Sequence, residues 1–331
     1  VNRILAAGIN YYNANSGCAI VIDLSNGGVK AMTSLPDYDP NHIGDKDSIF
    51  NMAVSGVYEF GSIMKTITTA MALHYDVVDL NTQYYIKPAI MVGRYRVTDF
   101  TQVNGTLNVM DIFKQSSNVG MVKIAADIGC DRYKDFYSSI GLNSSLKISL
   151  PEKSQVLLPK KWDKITCASM SYGYSIAMSP IQMATILSGL VSDGVMKIPR
   201  ISQSDPIIEK QIISQEASKK LRDVLKYTVM SNKYHPCNIR GCHVGGKSGT
   251  AHPMGKNGYN KEKVITSFFA VFPVEKPQYL ILTVLNDPQK MPHHRSRVGN
   301  MNAAQITADI IKGMLPIVGI KKIKQDNQKS V

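Results

Sequence analysis

Five strand-length apolar runs sit at the two ends of this 331-residue chain, and no other feature limits its fold as much. Cys18 to Leu24 and Val29 to Leu35 flank Ser25-Asn26-Gly27-Gly28, which is the turn chemistry of a β-hairpin. After Pro236 come Cys242 to Ala251, Val264 to Phe272 and Tyr279 to Leu285, and then a stretch of helical period from Ala303 to Leu315. An isolated hairpin is only marginally stable in water, so the opening pair and the closing trio must bury their faces together. The expected architecture is α/β of the α+β kind. One antiparallel sheet is built from both chain ends, with flanking helices and an inserted helical region.

The insertion begins after Pro36, Asp39 and Pro40 break the strand pattern. From about Gly61, Ile63, Ile67, Ala70 and Met71 recur at helical spacing, and further helices are predicted near Val109 to Phe113, Asn118 to Asp127, Pro180 to Leu190 and Ser214 to Met230. These boundaries predict one domain over 17–318, with sheet portions 17–50 and 236–318 around a mostly helical 51–235. Asn2 to Asn15 reads as a polar connector (residues 1–16) from a missing upstream region, since the chain opens on Val1. The polar basic tail, 319–331, offers nothing to pack and reads as disordered. There is no internal repeat.

Composition serves mainly to exclude. The formal net charge of +13 is spread from Arg3 to Lys329 and suits an acidic partner, whether nucleic acid, anionic membrane or anionic cell-wall precursor. Aromatic residues do not interleave with the basic ones as a nucleic-acid stacking platform requires, which argues against nucleic acid. The apolar runs are too short to cross a bilayer. Five cysteines, Cys18, Cys130, Cys167, Cys237 and Cys242, are too few and uneven for a disulfide framework. The cluster His235, Cys237, Cys242 and His243 can be read as a zinc site or as one local disulfide. It lacks a C-x-x-C hairpin, and Pro236 and Gly241 mark a simple turn, so a Cys237 to Cys242 disulfide is the stronger of the two readings.

Three short patterns carry chemistry. Ser62-Ile63-Met64-Lys65 opens the first inserted helix, where positions three apart share a face, so the Lys65 amine can serve the Ser62 hydroxyl. A serine hydroxyl is a weak nucleophile and needs an adjacent base. Lys65 is a base only when neutral, which burial and a second nearby cation can bring about. A second S-x-x-K, Ser144 to Lys147, reads as a polar loop. Ser116-Ser117-Asn118 falls in a turn between two helices, where a hydroxyl can relay protons and the Asn118 amide can hold a substrate amide; taken alone, a helix N-cap is the simpler reading. Lys247-Ser248-Gly249-Thr250 lies on the first closing strand. There Lys247 supplies positive field, the Ser248 and Thr250 hydroxyls grip a carboxylate, and Gly249 lets a ligand approach the backbone or forms a bulge.

In this order the three patterns form the signature shared by penicillin-binding proteins and class A β-lactamases. The chain resembles the class B penicillin-binding proteins, and within them the division-specific septal transpeptidases, over most of its length. The resemblance rests on Asn51 to Val54, Val57 to Ser62, Ala31 to Pro40 (AMTSLPDYDP), Trp162 to Pro180 with SYGYSIAMSP, Gly245 to Ala251 and Leu315 to Ile320 (LPIVGI). Ser248 stands where that family usually has Thr, and Phe60 and Thr66 where prolines are common.

The resemblance implies the penicillin-binding protein and serine β-lactamase fold. It also implies a peptidoglycan D,D-transpeptidase that needs no cofactor or metal. Ser62 would be acylated by a stem peptide ending in D-Ala-D-Ala, or by a β-lactam as covalent inhibitor. Lys65 would activate it, with Ser116 and Asn118 assisting. Lys247, Ser248 and Thr250 would bind the substrate carboxylate, and the backbone N–H groups of Ser62 and Thr250 would form the oxyanion hole. It further implies a periplasmic domain anchored to the inner membrane by an N-terminal segment absent here, with division-machinery membrane proteins and a glycan-polymerising enzyme as partners. A β-lactamase fits less well, because no Glu has Asn four residues later to activate a deacylating water, and a class D second motif usually ends in Val where this chain has Asn118. A β-lactam sensor or silent scaffold would use the same residues.

Overall fold

The computed structural model describes residues 1–42, 49–142, 146–255, 258–291 and 296–320. Helix α1 (Asn2–Tyr11) precedes strands β1 (Ser16–Asp23) and β2 (Val29–Leu35), and a single 3-10 turn, Gly61–Ile63, leads into α2 (Met64–His74). Four short strands follow, β3 (Gln83–Ile86), β4 (Ala89–Val92), β5 (Tyr95–Thr98) and β6 (Gly105–Asn108). Next come α3 (Val109–Lys114), α4 (Asn118–Ile128), α5 (Cys130–Ser139), α6 (Lys164–Tyr172) and α7 (Pro180–Val191). The chain continues through β7 (Val195–Lys197), β8 (Glu209–Gln211), α8 (Gln215–Met230) and β9 (Gly245–Ala251). It closes with β10 (Met254–Gly255), β11 (Gly258–Tyr259), β12 (Ile265–Phe272), β13 (Tyr279–Asn286) and α9 (Ala303–Val318).

The main sheet has the order β2-β1-β13-β12-β9, and every neighbouring pair in it is antiparallel. Both chain ends therefore contribute to it, as the pairing argument requires. Side chains alternate across a strand, and here both faces are covered. On β12, Phe269 and Val271 join the core shared with the inserted helices, while Phe268, Ala270 and Phe272 join the core beneath α1 and α9. Leu280, Leu282 and Val284 on β13 face the first core, and Ile281 and Leu285 the second. Double burial is why these strands read as continuous apolar runs, the pattern of sheets covered on both sides.

Helix α2 lies at the centre of the inserted region, with every residue from Met64 to Leu73 buried. Two of its threonines are satisfied in the core: Thr68 Oγ1 donates to the Ser171 carbonyl and Thr69 Oγ1 contacts Met121 Sδ. Helix α7 opens with a capping box, Ser179 and Gln182, with Pro180 at its first turn, as the S-P junction in the sequence suggests.

Several expectations need correction. Asn2–Asn15, read as a polar connector, carries α1, whose Leu5 is fully buried against the α9 side of the sheet. Ile4, Leu5, Ile9 and Tyr12 recur at helical spacing and cover that surface. Cys237 and Cys242 are free and buried, with the Cys237 thiol turned to the Ala304 carbonyl, and the disulfide joins Cys130 to Cys167 instead, tying α5 to α6. His243 pairs with Glu275, while His235 Nδ1 accepts the Cys237 backbone N–H, so the cluster's groups are engaged elsewhere. The inserted region also holds three small two-stranded sheets, β3–β6, β4–β5 and β7–β8, too short to leave a period-two signature. The tail from Lys321, and Ser144 of the second S-x-x-K, lie outside the described residues.

Oxidised, denatured protein is expected to titrate three free thiols, Cys18, Cys237 and Cys242, out of five cysteines. Peptide mapping without reduction should recover one linked pair, Cys130 with Cys167. A linked Cys237 and Cys242 peptide would contradict the structure.

Candidate active site

Ser62 occupies the 3-10 turn that feeds α2, one helical turn before the buried Lys65. Gly61 adopts φ +52°, and a Cβ there would lie 2.3 Å from the Thr250 carbonyl oxygen and 3.1 Å from Thr250 N. No L side chain fits that conformation and that space together. Gly249, expected to admit a ligand, admits the chain itself: its missing Cβ would stand 2.2 Å from the Phe60 carbonyl oxygen. These two close approaches press the Ser62 turn onto the edge strand β9, so the backbones of Ser62 and Thr250 belong to one wall.

The second pattern arrives on the turn between α3 and α4. Ser116 has φ +57°, a left-handed conformation that costs a non-glycine residue on the order of 1 kcal/mol or more, and its hydroxyl stands at a crossing of hydrogen bonds. Ser116 Oγ donates to Ser62 Oγ at 3.0 Å. It accepts from Lys65 Nζ at 3.0 Å and from Lys247 Nζ at 3.2 Å. Lys65 Nζ also donates to Asn118 Oδ1 at 2.7 Å and to the Ser116 carbonyl. Among the described residues no hydrogen bond runs directly from Lys65 to Ser62. The expected direct contact is replaced by a bridge through Ser116, because the Lys65 amine is held to the α3–α4 turn.

Burial lowers the Lys65 pKa well below the usual lysine range; the positive charge of Lys247 adds to that, and Asp99 opposes it. Burial also brings Lys247 down to about 8. Ser248 and Thr250 are half-buried on β9, and Lys247 Nζ donates back to the Ser248 carbonyl. Ser62, Ser116, Asn118, Ser248 and Thr250 line one cleft of 360 Å³, rimmed by Tyr172, Tyr174, His252 and the exposed Phe100. The three patterns, far apart in the chain, thus meet in one place.

A serine hydroxyl at a helix start, a buried amine of depressed pKa, a bridging hydroxyl and a second cation over a strand edge stand together here, an arrangement compatible with serine acyl transfer. Residues 17–312 match the family described as the penicillin binding protein transpeptidase domain. The chain belongs to that family. Among curated relatives, the probable peptidoglycan D,D-transpeptidase FtsI of Caulobacter vibrioides is 27% identical over 326 residues, covering 94% of this chain and 55% of that protein. The peptidoglycan D,D-transpeptidase FtsI of Escherichia coli is 28% identical over 331 residues, covering 97% of this chain and 55% of its own length. The chain therefore spans about half the length of the curated relatives it matches. An apo structure of the TP domain of penicillin-binding protein 3 from Burkholderia pseudomallei superposes with TM-score 0.85 at 26% identity, over 98% of this chain and 94% of that one.

Sequence reasoning missed one residue of this transpeptidase domain. Asp99 leaves β5 and caps α4 from outside: Oδ1 accepts the backbone N–H groups of Asn118 and Val119, and Oδ2 accepts the Ser117 hydroxyl at 2.7 Å. A carboxylate at a helix N-terminus satisfies orphan donors and complements the dipole. Ser117 itself is the N-cap, accepting from Gly120 N, and Asn118 Nδ2 donates to the Thr98 carbonyl. The β4–β5 hairpin therefore holds the second pattern in place. The only sequence hint was an acid ending a strand, which carries no partner information.

Asp99→Ala is expected to lower stability by about 1–2 kcal/mol, the usual cost of a lost cap. It should also slow acylation of Ser62 by a fluorescent penicillin. An unchanged acylation rate in the folded variant would mean that the Thr98 carbonyl and the Lys65 amine position Asn118 without Asp99.

Proposed function

We propose that this chain is the transpeptidase portion of a peptidoglycan D,D-transpeptidase of the septal, cell-division type. The observation that carries the reading is the Ser62–Ser116–Lys65 chain of hydrogen bonds beside Lys247 at the free edge of β9. In the acylation step Ser62 Oγ attacks the carbonyl between the two D-alanines of a stem peptide. Its proton passes through Ser116 Oγ to neutral Lys65, since a hydroxyl pair 3.0 Å apart serves in either sense, and then leaves with the amine of D-alanine. An amine on a neighbouring strand then attacks the ester, breaks its bond to Ser62 and completes the cross-link. A β-lactam acylates the same oxygen.

The backbone N–H groups of Ser62 and Thr250, on the shared wall, are assigned to the developing oxyanion; such a donor is typically worth ~10²–10³ in rate. Lys247, Ser248 and Thr250 are assigned to the terminal carboxylate, and Asn118 to the substrate amide. The Cys130–Cys167 disulfide supports an oxidising compartment, in keeping with work on the periplasmic side of the inner membrane, and the membrane anchor and division partners, a glycan polymerase among them, belong to the same reading.

Ser62→Ala should abolish covalent labelling by fluorescent penicillin and D-alanine release from a D-Ala-D-Ala peptide; labelling of a folded Ser62→Ala protein would refute the nucleophile. Lys65→Arg keeps a cation that does not deprotonate, so acylation should fall by roughly 10²–10⁴, the range of a lost general base.

The pH dependence follows from the two lysines. Lys65 acts when neutral, so kcat/KM should rise with pH through its depressed pKa. Lys247 acts when charged, so the rate should decline as pH passes about 8. A bell-shaped profile for acylation is expected, and a rate still climbing through pH 10 would remove Lys247 from the carboxylate site.

A further inference from the structure

A second groove, of 490 Å³, adjoins the catalytic cleft and shares Tyr172, Tyr174 and His252 with it. Beyond that shared wall its lining includes Tyr95 and Arg96 from β5, Tyr259 from β11, and Lys261. None of the lining residues is acidic. Arg96 and Lys261 are exposed, and neither forms an ion pair among the described residues. Two carboxyls touch this wall from behind: Glu59 Oε1 accepts from Tyr259 OH at 3.0 Å and from Ser175 N at 2.8 Å, and Asp163, paired with Lys161, accepts the Thr166 backbone N–H at 2.9 Å. Burial raises the Glu59 pKa, and its Oε1 is already engaged by Tyr259 and Ser175.

The direction from one groove to the other is set by β9. It ends the sheet order, so its outer edge is unpaired among the described residues and is open to an extended peptide. A terminal carboxylate at Lys247 and Ser248 leaves the peptide to run past Thr250 to His252, four residues on, or about 13 Å of strand. His252 is where the second groove begins.

We propose that this groove is a recognition subsite for the upstream, carboxylate-bearing segment of the donor stem peptide, read by Arg96 and Lys261 against the Tyr95 and Tyr259 rings. The proposal rests on the acyl-transfer reading of Ser62 and adds a substrate preference to it: an acidic donor over a neutral one. Because the two cations are exposed, the preference is electrostatic and screened by salt.

The test uses the double variant R96E/K261E and two donors, a short neutral N-acyl D-Ala-D-Ala and a longer peptide with a free carboxylate about four residue lengths upstream of its terminal carboxylate. D-alanine release gives kcat/KM, and fluorescent penicillin labelling reports that the Ser62 pocket is intact. For the acidic donor we expect a loss of about tenfold, as two surface charge contacts become repulsions, against at most twofold for the neutral one. Amidating the upstream carboxylate should reproduce the loss in the wild-type protein, and raising the salt should shrink it. Equal losses on both donors, or none on the acidic one, overturn the subsite. An effect seen only when the amine acceptor, and not the donor, carries the carboxylate also overturns it. If the wild-type protein releases D-alanine from neither donor, the transpeptidase reading fails on its own account; the subsite is then judged by competition of the acidic and amidated peptides against penicillin labelling.

Discussion

The burial of the Lys65 amine is the constraint on which the rest of the site depends. An ammonium withdrawn from water is costly unless its donors are met, and those of Lys65 are met by Ser116 and Asn118. The same withdrawal, with Lys247 close by, depresses its pKa, as the base assigned to it in the proposed reaction requires. Stability and chemistry pull in opposite directions here. The left-handed Ser116 is one local expression of that tension, since its strained backbone places a hydroxyl between two amines and the Ser62 hydroxyl.

Around that amine the packing converges from three sides. Helix α2 is buried along its length, so the Ser62 turn cannot drift. The glycines at 61 and 249 remove the side chains that would hold the turn off β9. Asp99, from the β4–β5 hairpin, fixes the start of α4 and with it Asn118. The sheet supplies the stiff edge, and because both of its faces are covered, a one-residue slip of β12 would exchange Phe268, Ala270 and Phe272 with Phe269 and Val271 between two differently packed cores.

Much of this was legible beforehand. The end-to-end sheet followed from five apolar runs that had no other partners, and the helices from Val109, Asn118, Pro180 and Ala303 began where their caps and periods placed them. The motif residues Ser62, Ser116, Asn118 and Lys247 were found because their order is distinctive. Other features were invisible for stated reasons. Asp99 acts across 18 residues on a helix it is not part of. In and just after α1, Asn2, Asn10, Asn13 and Asn15 obscure the helical spacing of Ile4, Leu5 and Ile9. Cys130 and Cys167 lie 37 residues apart with nothing in their spacing to pair them, whereas the close Cys237 and Cys242 invited a bond that the fold does not make.

What the sequence determined by itself was local and chemical: which segments are strand-length apolar runs, where several helices start, and which hydroxyls, amines and amide make up the three patterns. Tertiary structure decided the relations among them. It turned the Lys65 amine toward Ser116 instead of directly to Ser62, gave the space at Gly249 to the Phe60 carbonyl, and opened a basic groove beyond His252. Side-chain reach and burial depend on groups far apart in the chain, and their distances are set only when the sheet closes and the helices settle against it.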